Sequence, residues 1–325
     1  MATYLVTGAA GFIGARVSEM LLAGGHSVVA IDNLNDAYDV RLKTWRLNRL
    51  KPIQGFHFYE NDLGDRAALD RLAAENPGIA GIINLAARAG VRASLENPWV
   101  FLESNTTGTL NLLELARRNG IAKFILASTS SIYGANPPYP TPEDADSSQP
   151  LQAYAATKKG AEVMCHAYHH LYGIDVTIFR YFTVYGPAGR PDLAMFRFVQ
   201  RVAEGRTLHV NGDGTQSRGF TYIDDIARGT ILGLKPLGYE VMNLGGHESI
   251  SINDLISMIE EMLGRKAQIE HHPFHPADMM NNLADVRKAQ KMLGWQPQVG
   301  LREGVRHLID WYMAERNWAS QVITE

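Results

Sequence analysis

Residues 3–14 read Thr3-Tyr4-Leu5-Val6-Thr7-Gly8-Ala9-Ala10-Gly11-Phe12-Ile13-Gly14. A short run of β-forming residues stops at a glycine. Two further glycines follow at three-residue intervals, and an amphipathic pattern then begins. The pattern predicts a strand over 3–7, a tight turn, and a helix near 12–24. Glycine at these turn positions lets the backbone approach a pyrophosphate closely. The following helix start presents unpaired N–H groups and the positive end of its dipole to that anion. Gly8, Gly11, Phe12, Ile13 and Gly14 are therefore candidate contacts to a dinucleotide.

Outward from this turn the first half of the chain alternates short apolar runs with longer amphipathic ones. Residues 27–31, 56–60, 80–85, 123–128 and 174–180 read as strands. Helices are expected near 65–75, 98–118 and 152–171. Such alternation implies right-handed crossovers and a doubly wound parallel α/β sheet, with its ligand at the carboxyl ends of the strands. Asp32 closes the second strand, 18 positions after Gly14. A carboxylate there accepts hydrogen bonds from ribose hydroxyls and repels a 2′-phosphate, which favours NAD over NADP. Asn33 and Asn35 extend that contact toward the adenine. Asp62 and Leu63 follow the third strand and Leu85, Ala86 and Ala87 the fourth, where further cofactor contacts belong.

After residue 182 the rhythm breaks. Segments 186–192 and 211–219 are Gly-rich and turn-rich loops, and helices recur near 193–204, 251–263 and 301–314. The expected division is a cofactor domain over 1–182, with elements of about 219–245 returning to it. A smaller, interleaved α/β substrate domain spans 183–325.

The chain has 325 residues, a net charge of −3 and one cysteine. An intrachain disulfide is therefore excluded, which fits a reducing cytoplasm. The near-neutral balance offers no global attraction to nucleic acid or anionic membrane. No signal peptide and no membrane span are expected. Histidines at 271, 272 and 275, and at 166, 169 and 170 beside Cys165, match no standard zinc spacing. They are read as loop or helix-surface residues, and no metal is expected.

The candidate chemistry lies in Tyr154-Ala-Ala-Thr-Lys158. A four-residue spacing puts both side chains on one helix face. An ammonium beside a phenol favours the phenolate and lowers a pKa that is about 10 when free. Tyr154 would then serve as an acid/base near neutral pH. Ser128-Thr129-Ser130-Ser131, at the end of the fifth strand, would turn hydroxyls into the same crevice.

Taken together, Gly8–Gly14, Leu85–Ala87, Ser128–Gly134, Tyr154–Lys158 and Arg180–Gly186 resemble the extended short-chain dehydrogenases that modify nucleotide sugars. The resemblance covers essentially the whole chain. It implies a Rossmann-type sheet, bound NAD, a UDP-sugar substrate and a homodimer. It also implies catalytic roles for Thr129, Tyr154 and Lys158, cofactor contacts from Asn105, Ser128, Tyr154 and Lys158, and Tyr181 flanking the nicotinamide.

Sugar dehydratases and sugar-acid decarboxylases of this kind carry carboxylates where this chain has Ser130 and Ser131, so simple C4 epimerisation is favoured. Segments 32–43, 86–92 and 186–192 are similar to UDP-glucuronate 4-epimerases. Arg190 suits a sugar carboxylate bidentately, with Ser130, Ser131, Thr183 and the Tyr154/Thr129 pair around it and Arg88 nearby. Arg218 matches a diphosphate contact. Asp278 matches a uridine-ribose contact in a segment whose usual arginine is His275 here. The alternatives are a UDP-glucose 4-epimerase and a catalytically inactive NAD-binding regulator. The intact Thr129/Tyr154/Lys158 set speaks against the regulator.

Overall fold

The computed structural model describes residues 1–246, 248–273 and 280–324. The first half runs β1 (Thr3–Thr7), α1 (Phe12–Ala23), β2 (Ser27–Asp32), α2 (Val40–Leu50), β3 (Phe56–Glu60), α3 (Arg66–Glu75) and β4 (Ile79–Asn84). It continues with α4 (Ala93–Glu96), α5 (Pro98–Phe101), a π-helical stretch Leu102–Thr107, α6 (Gly108–Arg118), β5 (Lys123–Thr129), α7 (Ala153–Tyr172) and β6 (Asp175–Tyr181). The second half runs β7 (Thr183–Tyr185), α8 (Ala194–Glu204), β8 (Thr207–Asn211), β9 (Ser217–Tyr222), α9 (Ile223–Leu232) and β10 (Tyr239–Leu244). Last come β11 (Glu248–Ser251), α10 (Ile252–Leu263), β12 (Gln268–His272), α11 (Arg287–Leu293), α12 (Leu301–Ala314) and α13 (Arg316–Ala319).

Seven strands form one parallel sheet in the order β10-β6-β5-β4-β1-β2-β3. Both faces are covered, which is why these strands read as apolar runs rather than alternating ones. On one face Leu5, Val29, Ile82, Leu126 and Ile178 pack with Leu69 and Leu72 of α3, Leu112 of α6 and Cys165 of α7. On the other, Val6, Ala30, Ile83, Ile125 and Phe179 pack with Val17 of α1, Leu47 of α2 and Ile226 of α9. The chain moves outward from β1 to β3 and then jumps back to β4 on the opposite side of β1. That reversal opens a crevice at the carboxyl ends of β1 and β4.

β10 completes this sheet, and α9 lies on α1 with Arg16 Nη2 2.8 Å from Asp224 Oδ2. The remaining strands form a three-stranded sheet, β11-β9-β7, and a parallel pair, β12-β8. Helices α8, α10 and α12 bury Phe196 and Val199, Leu255 and Ile259, and Val305 and Leu308 against this layer. Among the described residues no helix is long and apolar enough to cross a membrane.

Three expectations change, and one helix had not been expected. The helix over 98–118 is interrupted by the π-helical stretch. Helix α2 carries its charges inward, with Lys43 and Arg46 buried beside Leu42, Leu47 and Leu50, so its apolar period is concealed. The turn-rich loop ends earlier than 219, because β9 begins at Ser217. His271 and His272 lie on a strand, β12, rather than in a loop.

Candidate active site

The glycine turn is set by close backbone contact. A Cβ on Gly8 would stand 2.8 Å from Ala86 Cα, and one on Gly14 would stand 2.1 Å from the Gly8 carbonyl oxygen. Gly8 also has φ +66°, a conformation glycine alone adopts without strain. Thr7 Oγ1 ties β1 to β4 by donating to Asn84 Oδ1 at 2.8 Å and accepting from the Ala86 amide at 3.2 Å. The start of α1 has no side-chain cap and no acidic residue in its first turn, so its amides are open to an anion. These features fit a dinucleotide pyrophosphate. Phe12 is buried and Ile13 half-buried against the same core.

Asp32 sits buried at the end of β2. Its carboxylate accepts from the amides of Ala10 (3.1 Å) and Leu34 (2.9 Å), and Lys43 Nζ lies 3.4 Å away. Around it runs a polar chain. Asn33 donates to Asp62 at 2.6 Å and Asn35 to Asn33 at 2.7 Å, while Arg88 donates to Asn35 at 2.9 Å. Arg88, expected on the sugar, therefore has its guanidinium on the loop after β2. Leu63 is buried, with its carbonyl accepting from Asn111 at 2.7 Å. Leu85, Ala86 and Ala87 follow β4 at the crevice mouth.

The π-helical stretch has a role. It directs buried Asn105 inward, where Oδ1 accepts from the Arg88 amide (2.9 Å) and Nδ2 donates to the Arg88 carbonyl (3.0 Å) and to Thr157 Oγ1 (3.1 Å). Asn105 thus joins the loop after β4 to the helix that carries Tyr154. π turns are frequent at functional sites for this reason.

The structure sets Thr129 in hydrogen-bond contact with Tyr154, and Lys158 follows one turn later on α7. Burial raises the Tyr154 pKa, while a hydrogen bond from Thr129 and the charge of Arg190 pull it down and Asp192 pushes it up. Lys158 is buried one turn beyond Tyr154 on α7. Its Nζ donates to the Ala127 carbonyl at 2.8 Å, and burial lowers its own pKa to about 8. Thr129 Oγ1 lies 3.2 Å from Ser131 Oγ and accepts from the Ser131 amide at 3.2 Å. Ser130 is buried beside it.

The hydroxyls of Ser128 and Tyr181 both find partners within the protein. The Ser128 hydroxyl turns away from the crevice and donates to Glu162 Oε1 at 2.6 Å, because successive strand residues face opposite sides. Tyr181 is buried, and its hydroxyl meets Thr230 Oγ1 of α9 at 2.8 Å, so its polar tip belongs to the core.

Arg190 is half-buried and grips Asp192, with Nε 3.1 Å from Oδ1 and Nη2 2.5 Å from Oδ2. Thr183 is half-buried on β7. Arg218 lies on β9 and donates to the carbonyls of Ser217 (2.8 Å) and Met280 (3.2 Å). Asp278 and His275 lie outside the described residues.

Several supporting residues escaped the sequence reading. Glu162, one turn beyond Lys158, clasps Arg180 with contacts of 3.0 and 2.9 Å. Arg180 in turn donates to Tyr133 at 3.0 Å, and Tyr133 donates to Asn243 at 2.6 Å. This buried chain fixes α7 against β5, β6 and β10. Glu162 was legible as the fourth residue after Lys158, on the same helix face. Lys43, Arg46 and Asp192 carried no local signal.

With this geometry in place the relatives can be compared. Residues 4–245 match the NAD dependent epimerase/dehydratase family. The chain belongs to that family. A UDP-glucuronate 4-epimerase of Thermodesulfobacterium geofontis is 56% identical over 313 residues, covering 96% of this chain and 96% of that protein. The crystal structure of the Bacillus cereus UDP-glucuronic acid 4-epimerase with UDP-glucuronic acid and NAD has a TM-score of 0.90 and 37% identity, covering 96% and 99% of the two chains. The Thermotoga maritima UDP-glucose 4-epimerase with UDP-glucose has a TM-score of 0.88 and 30% identity, covering 97% and 99%. The matched residues span the glycine turn, Asp32 and the helix that carries Tyr154 and Lys158.

Proposed function

We propose that this chain is an NAD-dependent UDP-glucuronate 4-epimerase, converting UDP-glucuronate to UDP-galacturonate through a 4-keto sugar. The observation that carries the reading is the whole-length identity with a UDP-glucuronate 4-epimerase, set on a site whose β5 end offers Thr129, Ser130 and Ser131. Tyr154 removes the proton from the C4 hydroxyl as hydride leaves C4, and Thr129 hydrogen-bonds the reacting oxygen. NAD, when bound, would supply a reversible hydride acceptor for C4, with Asp32 and the glycine turn holding it. Re-addition to the other face of the ketone inverts C4, with Tyr154 returning the proton. Serines at 130 and 131 bring no acid or base for eliminating water. Gly8, Gly11 and Gly14 would cradle the pyrophosphate, Asp32 the ribose, and Arg218 with Asp278 the UDP moiety. On this reading, 1–182 together with about 219–245 holds the cofactor, and 183–325 supplies the substrate side.

Incubation of the purified protein with UDP-glucuronate or UDP-glucose, without added NAD, tests this. UDP-galacturonate should form and NADH should not accumulate. A requirement for stoichiometric NAD would point to a dehydrogenase, and preference for UDP-glucose to the alternative epimerase.

A homodimer is supported by Leu95, Trp99, Leu102 and Val163, which are exposed on the adjoining helices α4, α5, the π-helical stretch and α7. Light scattering of the protein and a Trp99→Glu variant tests it. A cytoplasmic setting is supported by the single cysteine, Cys165, which is buried and free.

A further inference from the structure

The parallel pair β8–β12 carries a side-chain cluster that the epimerase reaction does not use. His209 is paired with Glu270 across the two strands, and Asn211 with His272. Residues 270 and 272 share a face because strand side chains alternate, and His209 joins them there. Nδ1 of His209 lies 2.9 Å from Nε2 of His272. The Glu270 carboxylate presents Oε2 at 3.6 Å from the first nitrogen and Oε1 at 3.6 Å from the second.

We propose that His209, Glu270 and His272 bind a divalent transition-metal cation such as Zn2+. Donors with these separations surround a point about 2 Å from each, which matches zinc–imidazole and zinc–carboxylate distances of about 2.0–2.2 Å. Two imidazoles and one carboxylate suit zinc, cobalt or nickel, whereas magnesium and calcium take oxygen donors. The three side chains are 41–57% exposed, so a cation enters from solvent and water completes its coordination. Without a cation, nitrogens 2.9 Å apart must share one proton between them.

The site would act as a staple. A two-stranded sheet is marginal alone, and here the two strands come from segments 63 positions apart. The ladder continues past the cluster, where the Gly212 amide donates to the His272 carbonyl at 2.8 Å. A cation therefore fixes the segment leading from β8 into the Arg218-bearing strand β9.

The test uses untagged full-length protein freed of metal by chelator. Zn2+ is titrated by calorimetry and Co2+ by its visible absorption, for the wild type and for His209→Ala, His272→Ala and Glu270→Gln. One cation per chain is expected, with affinity falling by about tenfold or more in each variant. Zn2+ should raise the wild-type Tm and leave that of His209→Ala unmoved, while all three variants keep wild-type epimerase turnover. Absence of saturable binding, or affinity unchanged in either histidine variant, overturns the site.

Discussion

Arg46 Nη2 lies 2.6 Å from the carbonyl oxygen of Ala188, and the same guanidinium donates through Nη1 to the carbonyl of Ala10 at 2.9 Å. One buried side chain on α2 thus fastens the glycine turn to the loop that carries Arg190. Its cation also lies over the rings of Phe12 and Tyr38, 5.8 and 5.6 Å from their centroids. The glycine turn and the Arg190-bearing loop are thereby held at a fixed separation.

Removing that link should be costly. Arg46→Ala strands two buried carbonyls and loses charged hydrogen bonds, a destabilisation of about 3 kcal/mol. Tm should fall by several degrees, and bound NAD should be lost more easily on dialysis. Arg46→Lys keeps the charge but not the fork, and should fall between. Unchanged Tm and NAD content in Arg46→Ala would remove the residue from the positioning role.

The acid/base assignment predicts a different signature. Tyr154→Phe keeps the ring that packs edge-on against Phe101, with centroids 6.2 Å apart, and deletes only the oxygen. Turnover should fall by roughly 10²–10⁴-fold with Tm and NAD content preserved. Thr129→Ala should cost less, because it removes one hydrogen bond to the phenol and not the proton carrier. Near-normal turnover in Tyr154→Phe would reassign the base.

Lys158 makes a prediction about pH. Burial lowers its pKa to about 8 from the ordinary lysine value of 10.5. Between those values the unfolded chain binds more protons than the folded one, so stability rises with pH across that window. Below pH 8 both states are protonated, and the cost of burying the ammonium is fully present. The urea midpoint of the wild type should therefore gain on that of Lys158→Met between pH 8 and pH 10. Parallel midpoints across this range would mean that Lys158 is not strained by burial.

What the sequence discloses and hides follows from how each element is stabilised. Strands β1, β2, β4, β5 and β6 are buried on both faces, so their apolar runs mark them to within a residue or so, whereas β3 lies at the sheet edge with His57 and Glu60 exposed. Tyr154 and Lys158 are legible because one helix fixes their spacing. Helix α2 is hidden because Lys43 and Arg46 occupy its buried face, where charge looks like solvent exposure. The paired strands β8 and β12 are hidden because their contacts are long-range and seven of their ten residues are polar. The turn of Ser128 toward Glu162 depends on strand facing, which no motif records. The charge that Arg190 sets near Tyr154 depends on loop 186–192, which Arg46 holds at the Ala188 carbonyl.

That loop carries the last prediction. Oxidation at C4 of a glucuronyl unit gives a β-keto acid, which loses CO₂ when the breaking bond aligns with the carbonyl π system. An epimerase must hold the carboxylate out of that alignment while the ketone turns its other face to the nicotinamide. Arg190 is the proposed clamp, with Ser130, Ser131 and Thr183 beside it, yet its fork is already taken by Asp192 at 2.5 Å. A uronate must therefore share or displace Asp192, whereas a neutral sugar need not. Arg190→Ala forfeits a charged hydrogen bond and should weaken kcat/KM for UDP-glucuronate by roughly 10–150-fold. Turnover of UDP-glucose should change little, and the fraction of UDP-pentose by-product should rise. Asp192→Asn removes the internal competitor and should sharpen preference for the uronate. Paired kcat/KM values on the two sugars, with products resolved by chromatography, decide the matter. Equal losses on both sugars in Arg190→Ala would make this arginine a general structural element of the loop, and an unchanged preference in Asp192→Asn would show that the ion pair does not gate the carboxylate.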